Sequence, residues 1–188
     1  MNTVNAASRG YLKIESAVRA FNFDFRDKVV LDIGSSTGGF TKLALDYGAT
    51  KVIAVEKGTN QMEAPLRYDS RVDLHEKTDI FYFQPDVGLD VIVADVSFLS
   101  LTKILKYAKL KLARSDTQFL VMLKPQFEAN PGQLTRGVVK NETIRRQIIK
   151  NFEAWLKQNG FIIVNKHDNE LTGKSGNRER FYHLILAK

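Results

Sequence analysis

Short runs of apolar, mostly β-branched residues recur along the chain, and they constrain its fold more than any other feature. The runs VVLDI, VIVAD and FLVML are apolar at nearly every position instead of alternating with polar residues. Such runs are typical of strands that are buried on both faces of a sheet. The strands predicted in this way cover residues 28–33, 51–56, 72–75, 90–95, 118–123, 161–166 and 181–187.

Segments with helical periodicity separate most of these strands. They follow the first, second, fourth and fifth strands and cover residues 40–47, 60–67, 101–112 and 141–159. Strand–helix alternation implies right-handed crossovers and a parallel sheet with helices on both faces. A loop joins the last two strands, which allows an antiparallel end strand. We therefore predict an α/β fold with a doubly wound, Rossmann-like, seven-stranded sheet that is mostly parallel and has an antiparallel end strand.

A further amphipathic helix is predicted before the first strand. Apolar residues recur at three- and four-residue steps from Tyr11 to Phe21, and Ser8 is a candidate N-cap. We interpret residues 1–27 as a helical extension that packs on a domain of residues 28–188. A chain of 188 residues suits a single domain overall. Residues 125–140 are expected to form a long loop, and loops of that length are often functional.

The composition excludes several classes of protein. Without cysteine, the chain has no disulfide framework, thiolate nucleophile or zinc–thiolate site, and we predict no metal site. Apolar runs fall short of the roughly 20 residues that cross a bilayer, so we expect a cytoplasmic protein without membrane contact. Lys and Arg outnumber Asp and Glu by 28 to 21, for a net charge of +7. This excess favours a polyanionic partner, although many basic proteins bind none.

A segment of small residues follows the first predicted strand and opens a helix. Small residues there let a ligand approach the backbone at the carboxyl edge of the sheet. The spacing from Asp32 to Gly38 is acidic-x-Gly-x-small-x-Gly, which is typical of enzymes that use S-adenosyl-L-methionine. It differs from the G-x-G-x-x-G fingerprint, so a nicotinamide-dependent oxidoreductase is a disfavoured alternative. A tight turn without any ligand is the structural alternative.

Acidic residues at the ends of the next two strands are candidates to bind adenosine. Glu56 lies 22 residues after Gly34, where a carboxylate can accept hydrogen bonds from both ribose hydroxyls. Asp79 follows the third strand and is either an acceptor for the adenine amino group or a turn cap. The residues predicted to bind the cofactor are Asp32, Gly34, Ser35, Ser36, Gly38, Gly39, Phe40, Glu56, Asp79 and Asp95.

Two further strand ends carry charged residues, Asp95 after the fourth strand and Lys124 after the fifth. A lysine that closes an apolar run is unusual because lysine is rarely buried without a partner, and Asp95 is the expected partner. A lysine held in this way can serve in proton abstraction, whereas the alternative is a solvated lysine that begins a loop. Residues 95–98 lack the Asn/Asp-Pro-Pro-aromatic sequence of enzymes that methylate amino groups of bases. We therefore expect a hydroxyl acceptor.

Five segments together resemble a known family. They are SRGYLKIE from Ser8, LDIGSSTGGF from Leu31, DVSFLS from Asp95, KPQFE from Lys124 and GNRE from Gly176. In this order they are similar to the hemolysin A (TlyA) branch of the FtsJ-like ribosomal RNA methyltransferases, over nearly the whole chain. The combination of KPQFE with DVSFLS is the most specific part of the resemblance.

The resemblance implies a class I methyltransferase fold and methyl transfer from S-adenosyl-L-methionine to a ribose 2′-hydroxyl, with cytidines of ribosomal RNA as targets. The catalytic tetrad of the family carries over to Lys13, Asp95, Lys124 and Glu179, with Lys124 as general base. Members of this branch usually begin with an S4-type RNA-binding domain. Only seven residues precede Ser8, so we expect either a truncated or a naturally minimal form.

An RNA partner, as ribosomal RNA or a ribosomal subunit, requires a basic surface around the site. The candidates for this rim are Arg9, Lys13, Arg19, Arg136, Lys140, Arg145, Arg146, Lys174, Arg178 and Arg180. For Arg145 and Arg146 the alternative is the solvated face of a helix. Tyr11, Phe98 and Phe127 are candidates to stack on a base, although such residues are more often part of a core. The alternative function is a non-catalytic RNA-binding module that keeps the methyltransferase fold.

Overall fold

The computed structural model describes residues 8–173 and 176–188, and in them strands alternate with helices as the sequence predicts. The strands are β1 Val29–Ile33, β2 Lys51–Val55, β3 Val72–His75, β4 Val91–Ala94, β5 Gln118–Leu123, β6 Phe161–Asp168 and β7 Arg180–Leu186. The helices are α1 Arg9–Phe21, α2 Gly39–Asp46, α3 Ala64–Arg67, α4 Leu101–Lys111, α5 Pro125–Glu128 and α6 Glu142–Gln158, with short 3-10 helices at Ile80–Tyr82 and Pro131–Gln133.

The strands form one seven-stranded sheet in the order β3-β2-β1-β4-β5-β7-β6. The first five strands are parallel to one another, and β7 is antiparallel to both β5 and β6. The predicted doubly wound, mostly parallel fold is therefore confirmed. The antiparallel strand is the last in the chain, and it lies one position in from the edge, between β5 and β6.

Helices cover both faces of the sheet, which explains the apolar runs. On one face, α4 and α6 pack on β1, β4 and β5, and on the other face α1 and α2 cover the same strands. The central strand β4 is buried at each of its four positions. Within the described residues, no helix is both long enough and apolar enough to cross a membrane.

Helix α1 begins at the predicted N-cap, since the Ser8 side chain accepts a hydrogen bond from the Tyr11 backbone amide. Its buried residues Ile14 and Val18 join the core that also contains α2. The two helices approach each other closely at Gly39. A Cβ atom there would lie 2.7 Å from the Tyr11 backbone nitrogen and 3.0 Å from the carbonyl carbon of Gly10. Gly39 therefore allows α1 to lie against the start of α2.

Two segments differ from the sequence prediction. The helix expected over residues 60–67 is reduced to α3, because the Glu76 carboxylate accepts hydrogen bonds from the backbone amides of Asn60, Gln61 and Met62. These amides are held outside a helix, and Asn60 takes a left-handed conformation with φ 52°. Residues 125–140 are also more ordered than a simple loop, since they contain α5, the second 3-10 helix and a bridge between Thr135 and Val138.

Replacing Gly39 tests the close approach of α1 to α2. We expect Gly39→Ala to lower the free energy of unfolding by about 2 kcal/mol, because the added methyl group meets backbone atoms that cannot rotate away. Gly132→Ala is the matched control, since a Cβ atom at Gly132 meets no described atom within 4 Å. Urea unfolding followed by circular dichroism compares the two variants. Equal stability of both would contradict this packing.

Candidate active site

The carboxyl ends of β1, β4 and β5 bring the predicted site residues together. Gly34, Asp95 and Lys124 each directly follow one of these strands. The three strands are neighbours in register, because Ile33 pairs with Ala94, which pairs in turn with Val121 on β5. Open α/β sheets bind ligands at this edge, where the order of strands reverses.

The loop after β1 requires glycine at its first position. Gly34 has φ 81°, and a Cβ atom there would lie 3.0 Å from the carbonyl oxygen of Asp95. Its amide donates to the Val55 carbonyl at 2.9 Å, so the loop is fixed to β2 as well as to β4. Ser36 also has a positive φ, 47°, which is uncommon for a residue with a side chain. The loop thus holds its backbone open toward the edge of the sheet.

Two adjoining cavities lie along this edge. The first, here called the Glu56 cavity, has a volume of about 530 Å³. The second, the Lys124 cavity, has a volume of about 500 Å³. Both are lined by Gly34, Ser36, Asp95, Ser97 and Phe98. Because the cavities share these residues, one elongated ligand can occupy both.

Glu56 holds a fixed position at one side of the first cavity. Its carboxylate accepts hydrogen bonds from the backbone amides of Ser36, at 3.0 Å, and Gly58, at 2.6 Å. Asp79 lines the same cavity and also caps the first 3-10 helix by accepting from the Phe81 amide. An ion pair with Lys57 and this cap lower the pKa of Asp79. The capping role anticipated for Asp79 is therefore present, and its contact with adenine stays a prediction.

Two lysine–carboxylate pairs line the Lys124 cavity. Lys124 Nζ lies 2.5 Å from Asp95 Oδ1 and donates to Ser97 Oγ at 2.8 Å. Lys13 Nζ, on α1, lies 2.5 Å from Glu179 Oε2, in the segment before β7. All four side chains of the predicted tetrad are thus brought to one cavity. The side chain of Lys124 is only 11% exposed, so its ammonium group depends on these partners.

The remaining predicted cofactor residues divide into two groups. Ser35 and Phe40 line the Lys124 cavity, together with Gly39. Asp32 and Gly38 instead support the loop. Gly38 has φ 92°, and a Cβ atom there would collide with the side chain of Leu66.

Asp32 is buried below the loop, where its carboxylate accepts a hydrogen bond of 2.7 Å from the Thr41 hydroxyl. Burial raises its pKa to about 7, and the charges of Asp95 and Glu56 add to this, against the hydrogen bond from Thr41. A carboxyl group in this position holds its proton at a pH where an exposed aspartate would be ionised. Asp32 therefore connects the start of α2 to the end of β1.

The sequence prediction missed two residues that organise the site, Ser97 and Glu128. Ser97 accepts from Lys124, as described above. The Glu128 carboxylate accepts hydrogen bonds from the Leu101 amide, at 2.6 Å, and the Ser100 hydroxyl, at 2.7 Å. It thereby caps α4 and joins the KPQFE segment to the DVSFLS segment. The signal was present in the sequence, because both residues lie within the two most specific motifs.

The predicted basic rim is only partly present. Arg145 is buried and pairs with Asp168 at 2.7 Å, so both alternatives considered for it, RNA contact and a solvated helix face, were wrong. Arg180 pairs with the same carboxylate and with Glu153. Lys174 lies outside the described residues. The rim candidates that are exposed are Arg9, Arg19, Arg136, Lys140, Arg146 and Arg178.

The residues present fit S-adenosylmethionine. The Glu56 cavity offers a fixed carboxylate for the ribose hydroxyls of an adenosine group. In the Lys124 cavity, the buried hydroxyl of Ser35 has no hydrogen-bond partner among the described residues, and it is available to the amino-acid end of the cofactor. Gly34 and Asp95 line both cavities, so a ligand that spans the two meets the ends of β1 and β4. The fold and this site define a methyltransferase of the class I fold.

Comparisons with known proteins agree with this class. A family model described as FtsJ-like methyltransferase matches residues 6–185. The chain is 34% identical over 180 residues to the 23S rRNA (cytidine-2′-O)-methyltransferase TlyA of Campylobacter jejuni, covering 95% of this chain and 70% of the relative. It is 36% identical over 181 residues to the 16S/23S rRNA (cytidine-2′-O)-methyltransferase TlyA of Mycobacterium tuberculosis, covering 94% and 67%.

A solved structure gives the same result. The protein described as "Putative hemolysin" from Streptococcus thermophilus superposes with a TM-score of 0.92 at 34% sequence identity, and the match covers 100% of this chain and 69% of that one. The chain therefore belongs to the FtsJ-like methyltransferase family, and its cofactor is S-adenosylmethionine.

The buried carboxyl group of Asp32 predicts a pH dependence of stability. In the folded state it titrates near pH 7, whereas in the unfolded state it titrates near 3.8. Between these values only the folded state holds the proton, so the Asp32 contribution to the unfolding free energy falls as pH rises. At each pH we compare the unfolding free energy of Asp32→Asn with that of the natural protein. We expect this difference to shift in favour of the variant by about 3 kcal/mol from pH 4 to pH 8. Parallel pH profiles from urea unfolding would contradict this.

The two hydrogen bonds of Glu128 predict a coupling between helix capping and activity. We expect Glu128→Ala to lower the unfolding free energy by about 1–2 kcal/mol and to reduce methyl transfer at least tenfold, because Lys124 and Asp95 lose their common support. Asn141→Ala is the control. Asn141 caps a different helix, α6, by accepting hydrogen bonds from the backbone amides of Thr143 and Ile144. The control variant should lower stability similarly and keep activity within about twofold. Equal activity of both variants would exclude the coupling.

Proposed function

We propose that the protein transfers a methyl group from S-adenosylmethionine to the ribose 2′-hydroxyl of a cytidine in ribosomal RNA. The observation that carries this proposal is the pair of lysine–carboxylate contacts, Lys124 with Asp95 and Lys13 with Glu179, in the cavity that adjoins the proposed nucleoside site. The names of the relatives from Campylobacter jejuni and Mycobacterium tuberculosis support the same acceptor. The resemblance of the tetrad to that of the family supports the assignment of roles.

A ribose hydroxyl must lose its proton as it receives the methyl group. When bound, S-adenosylmethionine supplies an electrophilic methyl group on a sulfonium sulfur. Lys124 Nζ, in its neutral form, accepts the hydroxyl proton while the new oxygen–carbon bond forms. The ammonium group that results is held by Asp95 and by the hydroxyl of Ser97. Because the leaving thioether needs no proton, positioning supplies much of the rate acceleration.

Lys13 and Glu179 orient the acceptor in this proposal. Their side chains are 9% and 3% exposed, so the pair is largely shielded from water. The positive charge of Lys13 stabilises the negative charge that develops on the ribose oxygen. Glu179 fixes the Lys13 ammonium group through the 2.5 Å contact and prevents it from turning away.

Phe98 is proposed to hold the base of the target nucleotide. Its ring is 92% exposed although it borders both cavities. Its backbone has φ 62°, a conformation that costs free energy for a residue with a side chain. The ring centroid of Phe127 lies 5.3 Å away, which gives a second aromatic surface beside it. Exposed aromatic rings of this kind stack on unpaired bases of RNA.

Phosphate contacts are proposed for the exposed part of the rim. Arg136 and Arg178 are exposed, and Asn177 ties their two segments together by contacting Gly137 and Val139. Arg9 lines the Lys124 cavity and donates a hydrogen bond to the Thr172 carbonyl. Cations in these positions bind the RNA backbone without reading its sequence.

Substitution of Lys124 tests the proposed base. We expect Lys124→Arg to keep the ion pair with Asp95 yet to reduce kcat by at least 100-fold, because a guanidinium group accepts no proton at neutral pH. Lys124→Ala should lose activity to a similar degree. Affinity for S-adenosylmethionine, measured by calorimetry, should stay within about threefold in both variants.

Three results would contradict parts of this account. Unchanged methyl transfer to RNA by Lys124→Ala would exclude Lys124 as the base. Tight binding of RNA by the natural protein without transfer to any ribosomal RNA or subunit would favour the non-catalytic RNA-binding module. Calorimetric binding of NAD in place of S-adenosylmethionine would favour the oxidoreductase alternative.

A further inference from the structure

Helix α4 carries an uncompensated positive charge. Its sequence, LTKILKYAKLK, contains four lysines and no carboxylate. The other long helices pair basic residues with acids one turn away. These pairs are Arg19 with Glu15 in α1, Lys42 with Asp46 in α2, and Arg145 with Glu142 in α6. In the described part of the chain, no carboxylate lies within 4.0 Å of the ammonium groups of Lys103, Lys106 or Lys111.

Lys111 lies in the last turn of α4, where the helix dipole favours a cation, but local stability does not explain Lys103 and Lys106. Lys103 lies in the first turn of α4, where the helix dipole disfavours a cation. Lys103, Lys106 and Lys111 are all exposed. Lys103 and Lys106 are three residues apart, and repulsion between like charges at this spacing lowers stability further. A cost of this kind without a local compensation indicates a partner that carries negative charge.

Aromatic residues lie beside the same lysines. Tyr107 is four residues from both Lys103 and Lys111, so the three side chains form one stripe along α4. The Tyr107 hydroxyl donates to the Phe83 carbonyl, and its ring lies 5.2 Å from that of Phe81. These contacts place the 3-10 helix Ile80–Tyr82 against the stripe. Tyr82, which ends this helix, is 90% exposed.

This surface begins at the proposed active site. Ile104 of α4 and Phe81 both line the Glu56 cavity, and α4 begins three residues after Phe98. From Lys103 to Lys111 the helix advances about 12 Å, which spans several successive phosphates of one strand. The tetrad and Arg9 line the other cavity, so the lysines of α4 form a second basic surface.

We propose that Tyr82, Lys103, Lys106, Tyr107 and Lys111 form a track for the single-stranded RNA that flanks the methylated nucleotide. The proposal rests on RNA as the substrate of the proposed function. Binding sites for single strands combine cations that follow the backbone with aromatic side chains that stack on bases. In this track the lysines contact phosphates and Tyr82 stacks on a base.

The salt dependence of RNA binding distinguishes the phosphate contacts of the lysines from the stacking contact of Tyr82. Binding of a fluorescein-labelled single-stranded fragment of ribosomal RNA is measured by anisotropy across a range of salt concentrations. Each lysine removed should reduce the slope of log K against log salt by about 0.7, so Lys103→Ala with Lys106→Ala should reduce it by about 1.4. Tyr82→Ala should weaken binding about tenfold and leave the slope unchanged, because stacking releases no counterions.

A matched double variant controls for net charge. Lys150 and Lys157 are exposed lysines of α6, and Lys150→Ala with Lys157→Ala removes the same charge from another helix. We expect the control to keep the slope within about 0.3 of the natural protein. The α4 double variant and Tyr82→Ala should each raise KM for RNA and keep kcat at saturating RNA. Affinity for S-adenosylmethionine should not change.

The outcomes separate this proposal from the proposed function. If the α4 and α6 double variants reduce the slope of log K against log salt equally, the track is overturned, and the net charge of the protein attracts RNA without a defined site. Tyr82→Ala with natural affinity would overturn the stacking contact. Natural affinity of the α4 variant for free RNA, with activity lost only on whole ribosomal subunits, would overturn it in favour of a protein contact. Failure of the proposed function would appear instead as absent methyl transfer by the natural protein, whatever its RNA affinity.

Discussion

A buried ion pair between Lys13 and Glu179 joins α1 to the segment before β7, and the Lys124 cavity depends on it. The two residues are 166 positions apart in the chain, and their contact of 2.5 Å is shielded from water. Removing one partner would leave an uncompensated buried charge, which costs several kcal/mol. The pair therefore requires that both ends of the chain are docked before the cavity is complete. The close approach of α1 to α2 at Gly39 serves the same requirement.

The rest of the site is held by hydrogen bonds between loops that follow neighbouring strands. Glu56 fixes Ser36, and Glu128 fixes Ser100 and the start of α4. Asp95 contributes with its backbone as well as its side chain, because its carbonyl oxygen lies where only a glycine at position 34 leaves room. Each loop thus depends on a residue from another loop. A site of this kind holds its catalytic groups in place before the substrate binds, which is the basis of catalysis by positioning.

The sequence predicts the sheet well because burial on both faces leaves a local signal. The bounds of β3 and β5 agree to the residue with those predicted, and the other strands differ by one or two residues at an end. Strand order places Asp95 next to Lys124, so that pair was also accessible to reasoning from sequence.

Long-range contacts of polar groups left no such signal. Arg145 looks like a surface residue in its helical pattern, yet it is buried by a pairing with Asp168, 23 residues later. The segment after β2 has helical periodicity, but the Glu76 carboxylate binds its backbone amides instead. Lys13 and Glu179 were assigned through the family resemblance and not through periodicity or spacing. Their proximity is a property of the folded chain.

Mapping the methylated atom tests the central claim most directly. The protein is incubated with S-adenosylmethionine that carries an isotopic label in its methyl group, together with ribosomal subunits or free ribosomal RNA. The RNA is then digested to nucleosides and analysed by mass spectrometry. The account predicts that the label appears in 2′-O-methylcytidine. Label found on a base, or in protein instead of RNA, would contradict it.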